Sequence, residues 1–226
     1  MAVQNNPPDD RFALVVEVYL HTKALILDAE EFDVGFRSFL QPKLELVNAL
    51  EHIMRIEARK LRILESGRKD EPPADGVSGY TQGNVDKALG HVYRAFFDTA
   101  DWFAIRIREK IQQGMSGYSH VCISTVAPEY YRVIRPKLEQ AAKDIAAIRK
   151  NKDVSGDDIL EEVERYTEVL RELREYSDGI DRMIPSLQEY QEKEAGAEKK
   201  EWQEKVYFVL VGAGLATLGA LLLKLL

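Results

Sequence analysis

The sequence predicts an all-α protein in three parts: a cytosolic helical bundle (1–152), a long acidic heptad-bearing helix with a charged stalk (153–204), and one C-terminal transmembrane helix (205–226). Apolar residues recur at three- and four-residue spacing through five stretches. Proline, glycine and polar runs separate those stretches. At the end, Val206–Leu226 reads VYFVLVGAGLATLGALLLKLL, 21 residues with a single charge, long enough to cross a bilayer core as a helix.

The first helix is expected from Asp9 or Asp10, which can cap it, to about Phe32. Its apolar positions surround most of the circumference, which predicts a central place in the bundle. Pro42 suits the first turn of a second helix running to about Ser66, with Leu46, Ala49, Leu50, Ile53, Ile56, Leu61 and Leu64 toward the core. Residues 68–83, RKDEPPADGVSGYTQG, read as the main loop. Asn84 then resembles the cap of a third helix ending near Gln113, with Leu89, Val92, Phe96, Thr99 and Phe103 on one face. VCISTV (121–126) has β-propensity without a strand partner and reads as a buried connector. Pro128 can open a fourth helix that Pro136 kinks or interrupts, and 151–156 forms a linker.

The fifth stretch is the most regular. Ile159, Val163, Tyr166, Leu170, Leu173, Ser177, Ile180, Ile184 and Leu187 alternate by four and three, and eight of these nine positions are apolar. That is a coiled-coil or antiparallel-bundle seam, packing either onto the body or against another copy, with a slight preference for the oligomer. Pro185 should kink it. Beyond Leu187 the chain is charged on all sides, as a solvated stalk would be.

Charge and cysteine usage narrow the function. The formal net charge is −7, and residues 153–204 alone hold 17 Asp and Glu against 7 Lys and Arg. Such a balance argues against coating nucleic acid. Cys122 is the only cysteine, which excludes an intramolecular disulfide and a thiolate-rich metal site. No glycine-rich phosphate loop, paired-histidine metal helix or GxSxG elbow occurs, so neither a cofactor nor a metal is expected.

Three features can carry function. Within the predicted anchor, Gly212, Ala216, Gly219 and Ala220 place small residues where two helices could approach closely in lipid, and Trp202 and Tyr207 suit the near interface. His52, Arg55, Arg59 and Arg62 form a basic stripe on the second helix. That stripe reads as a solvated face, as internal pairing with the acidic segment, or, with Arg94, as an anionic-ligand site. His91, Arg94, Asp98 and Asp101 on the third helix could supply an acid, a base and a clamp, although Arg94 and Asp98 also fit a plain i, i+4 pair. ALEHIMR (49–55) and ALGHVYR (88–94) share Ala-Leu-x-His-x-x-Arg; if this reflects a duplicated helix, two His/Arg pairs would meet across a pseudo-twofold.

The leading expectation is a membrane-tethered interaction protein that binds a cytosolic partner or anionic ligand and self-associates at a prokaryotic inner membrane. The partners would be membrane lipid and further copies of the chain. One alternative is an oligomeric, membrane-perturbing effector of a defence or toxin system. The other is a membrane-bound hydrolase or nuclease using His91 and Asp98.

Overall fold

The computed structural model describes residues 8–33, 40–61, 76–150 and 158–225, with side chains from Asp10 onward in the first range, from Gly79 in the third and up to Gly214 in the last. The described chain is helical throughout: α1 (Pro8–Phe32), α2 (Leu40–Lys60), α3 (Gly76–Ser116), α4 (His120–Val126), a π turn (Tyr130–Ile134), α5 (Arg135–Lys150) and α6 (Ile159–Leu225). Two compact units result, one from residues 1–111 and 137–177, the other from 112–136 and 178–226.

In the first unit the centre is α3, not α1. Leu89, Val92, Phe96, Phe97, Ala100 and Ile107 are all at most 1% exposed, and they lie on several sides of the helix. The partners of α3 show why. Thr99 bonds back to the Ala95 carbonyl, Arg11 and Thr22 of α1 reach Asp86 and the Val92 carbonyl, and Tyr93 donates to Glu162 of α6. Phe97 sits between Tyr93 and Tyr166, with ring centroids 4.6 and 5.7 Å away. Aromatic pairs at this spacing add to the area they bury. By contrast α1 buries one face only, through Val15, Val18, Leu25, Ile26 and Ala29, while Phe12, Val16, Leu20 and Leu27 remain exposed.

The heptad seam lies inside the chain. Ile159, Val163, Tyr166, Leu170, Leu173 and Ser177 are buried in the first unit, and Ile180 and Leu187 in the second. Eight of the nine seam residues are therefore covered by the protein's own helices, and Ile184 is half-buried. The hydroxyl of Ser177 is the one buried side-chain polar atom among the described residues without a hydrogen-bond partner.

Other expectations shift for local reasons. Helix α3 begins at Gly76, so 76–83 is helical and not loop; the remainder of the predicted loop lies outside the described residues. Asn84 is consequently interior, its amide donating to the Tyr80 carbonyl at 2.9 Å. VCISTV lies in α4, whose cap is Ser119: its hydroxyl accepts from the Cys122 amide. Before Pro136 the helix widens into the π turn, and the Arg135 amide donates to the Tyr130 carbonyl. A proline cannot donate to the carbonyl four residues back, which accounts for a widened turn at that point.

In the second unit, Gly114 admits α6. A Cβ there would lie 3.0 Å from Cγ2 of Ile180. Cys122 is fully buried against α6, its thiol 3.5 Å from the Leu187 carbonyl, and burial pushes that thiol up from its ordinary range. Distally, α6 stays helical through Pro185 and the charged stretch. Residues 195–205 are all exposed, carrying pairs such as Lys205–Glu201. Among the described residues no helix is long and apolar enough to cross a membrane. The apolar stretch starting at Val206 runs on beyond Gly214, past the side chains that are described.

Candidate functional site

Two polar clusters flank α3, and together they account for most of the residues singled out above. The first joins α2 to α3. These helices are antiparallel: Glu45 meets His91 and Arg94, His52 meets Asn84, and Arg59 lies over the Tyr80 ring at 4.5 Å. At its centre is Glu45, with a side chain 11% exposed. One oxygen of Glu45 accepts from His91 Nδ1 at 2.7 Å and from Arg94 Nε at 3.1 Å; the other accepts from Gln41 at 3.1 Å. The carboxylate can only accept, so His91 Nδ1 carries a proton. Arg94 Nη2, 2.8 Å from that nitrogen, is then a close neighbour and not a second donor to it. Burial pushes the Glu45 carboxyl up, but the hydrogen bonds from His91 and Arg94 outweigh it and hold the group below the usual carboxylate range.

The two histidines of the repeated pattern meet. Their rings stack with centroids 5.3 Å apart and 21° between planes. His52 Nδ1 donates to Asn84 Oδ1 at 3.0 Å, since the amide nitrogen of Asn84 is already committed to Tyr80. The two arginines diverge. Arg94 crosses to Glu45, whereas Arg55 turns back along its own helix to Glu51 at 2.6 Å. Of the basic stripe, Arg62 lies outside the described residues.

The second cluster is separate. Asp101 accepts from Tyr166 at 2.6 Å and from Arg149 at 2.7 Å, joining α3 to α6 and α5. Burial and the bond to Asp101 push the Tyr166 hydroxyl well above its ordinary range. Ten residues along a helix correspond to about 15 Å, so Asp101 sits well away from His91. Asp98, two turns from His91 along α3, is exposed. His91 and Arg94 thus meet at Glu45, whereas Asp101 belongs to the other cluster.

Chemically, a carboxylate orienting a histidine is half of a general-base arrangement. The other half is a nucleophile or substrate-polarising group. The neighbours here, Gln41, Asn84 and Tyr80, instead engage the frame itself. Among the described residues no group of His, Cys, Asp and Glu could hold a metal ion.

The sequence reading missed Glu45 and an apolar groove beside the cluster. Glu45 lies seven residues before His52, on the same side of α2, which is the signal that could have found it. The groove, about 380 Å³, runs between α1 and α2, with Phe12, Val16 and Tyr19 on one wall, Leu46 and Leu50 on the other and Val92 at its base. Gly212 of the anchor motif has open space where a side chain would be. For Ala216, Gly219 and Ala220 the side chains lie outside the described set. No protein-family model, curated protein or solved structure matches this chain.

Proposed function

We propose that this protein is a membrane-tethered helical interaction protein, with the bundle as its recognition body and the apolar end of α6 as its bilayer segment. The carrying observation is the exposure of that end. Tyr207, Phe208, Val209 and Leu210 are 65% to 71% exposed on a helix that reaches them through a charged, fully solvated stretch. Leaving consecutive large apolar side chains in water is costly, and a bilayer removes that cost. The uncharged run from Val206 to Leu223 is 18 residues, or about 27 Å of helix, close to a hydrocarbon core of about 30 Å. Trp202 and Tyr207 suit the near interface, and Lys224 can snorkel at the far one. Gly212, Ala216, Gly219 and Ala220 would then offer a small-residue face for packing in lipid. Both polar clusters stiffen the body, which supports recognition over chemistry.

The test is flotation of the full-length chain with neutral phosphatidylcholine vesicles. The protein should float and resist both high salt and alkaline carbonate. Leu210→Arg with Gly214→Arg should leave it in the soluble fraction, because a charge near mid-bilayer costs about 2.5–3.5 kcal/mol per residue. Release of the unmodified chain by salt alone would sink the reading.

A further inference from the structure

We propose that the outward face of α1 and α2 is the contact between two copies of this chain, which pair about a twofold axis. This rests on the reading of the bundle as an interaction body and is independent of whether α6 enters a bilayer.

Helix α2 is built with apolar residues on the wrong side for a monomer. Inward it buries Pro42, Glu45, Ala49 and Ile56. Outward it presents Leu40, Leu44, Val47, Leu50 and Met54, each 44% to 62% exposed. At 100° per residue these two sets lie on opposite sides of the helix. Helix α1 continues the surface with Phe12, Val16, Tyr19, Leu20 and Leu27, at 41% to 56%. The groove of about 380 Å³ between the helices lies within this face, and outside its lining Lys43 of α2 pairs with Glu30 of α1 at 3.0 Å.

Size and charge choose the occupant. Large apolar side chains, ten of them half exposed, offer on the order of 800 Å², one side of a standard protein interface. An apolar patch that large exceeds the roughly 300–600 Å² typical of a monomer's largest. Helix α1 carries six acidic residues against two basic ones, whereas α2 carries four basic against three acidic. A twofold that lays α1 of one copy across α2 of the other brings opposite net charges together and keeps the two acidic helices apart. The same acidity of α1 disfavours an anionic membrane surface as the occupant.

The test is the mass of the full-length protein in detergent, by sedimentation equilibrium at about 50 µM. A dimer is expected. Val16→Glu with Leu50→Glu should weaken it at least 100-fold, because each would bury an unpaired charge, while the melting temperature of the dilute protein holds. If the glutamates disturb the body, Val16→Ala with Leu50→Ala serves instead and should weaken the dimer about tenfold. Mixing a Val16→Cys chain with a Leu50→Cys chain should give an oxidised heterodimer, with Cys122 silent because it is buried. A monomeric parent chain overturns the proposal, and so does a dimer that survives both pairs of substitutions. A dimer abolished by Gly212→Leu but not by the α1 and α2 changes also overturns it, since the C-terminal helix would then be the contact. Flotation reports on the bilayer segment separately, so either reading can fail alone.

Discussion

ALEHIMR on α2 and ALGHVYR on α3 share a pattern, and their shared residues meet opposite fates. Ala49 and Ala88 are both buried and the histidines stack, yet Leu50 is 54% exposed while Leu89 is fully covered. Neighbours explain the difference. Helix α3 is bonded to α1, α2, α5 and α6, so a leucine on almost any side finds a wall. Helix α2 lies at the edge of its unit, with α1 and α3 as its bonded partners, and half its circumference faces outward. The same local sequence is core in one place and surface in another, so composition alone does not decide burial.

The sharpest way to break this comparison is to truncate the matching leucines. Leu89→Ala should cost about 2–5 kcal/mol in urea unfolding, the range for a buried leucine whose surroundings cannot fully collapse. Leu50→Ala should change the stability of the dilute protein by no more than about 0.5 kcal/mol. Comparable losses at both sites would mean that α2 is covered within its own chain. If Leu50→Ala destabilises only as concentration rises, the pairing of copies is what covers it.

The contact between the two copies of the pattern depends on Glu45, and pH can weigh it. With its carboxyl held below the usual range, Glu45 contributes stability that is fully present above about pH 4.5 and lost as pH falls through its lowered folded value. Glu45→Gln should therefore cost about 1–3 kcal/mol at neutral pH. The gap between parent and variant should close progressively in acid below the ordinary carboxylate range. A gap that stays constant down to strongly acidic pH would show that the carboxylate is not what joins the helices.

These two helices also mark what could be read in advance. The all-α class and the cores of the longer helices followed from periodicity, which is a property of one segment, whereas the start of α3 and the short α4 did not. Which helix is central did not follow, because that depends on how many others surround it: α1 reads as the more apolar of the two in sequence, yet only α3 is enclosed. Asn84 resembled a cap because Asn is a good one, but a side chain reaching the carbonyl four residues back serves equally inside a helix. His91 stood out in the sequence as a candidate acid or base, but its partner Glu45 did not, since they lie 46 residues apart. The seam of α6 was legible as a seam but not as an internal one, because heptads on one strand of a bundle look alike whether the facing helix belongs to the same chain or another.

Ser177 offers the smallest and cleanest check on that last point. It occupies the one polar position of the seam, is 1% exposed, and its hydroxyl has no hydrogen-bond partner. A buried hydroxyl without a partner carries a desolvation penalty that its packing does not recover. Ser177→Ala removes the hydroxyl, leaves little void and improves helix propensity, so the protein should gain about 1 kcal/mol in stability. That gain should be independent of protein concentration, because a seam enclosed by its own chain gains nothing from a second copy. A gain that grows with concentration would instead place the seam between chains and return α6 to the role its heptads suggest.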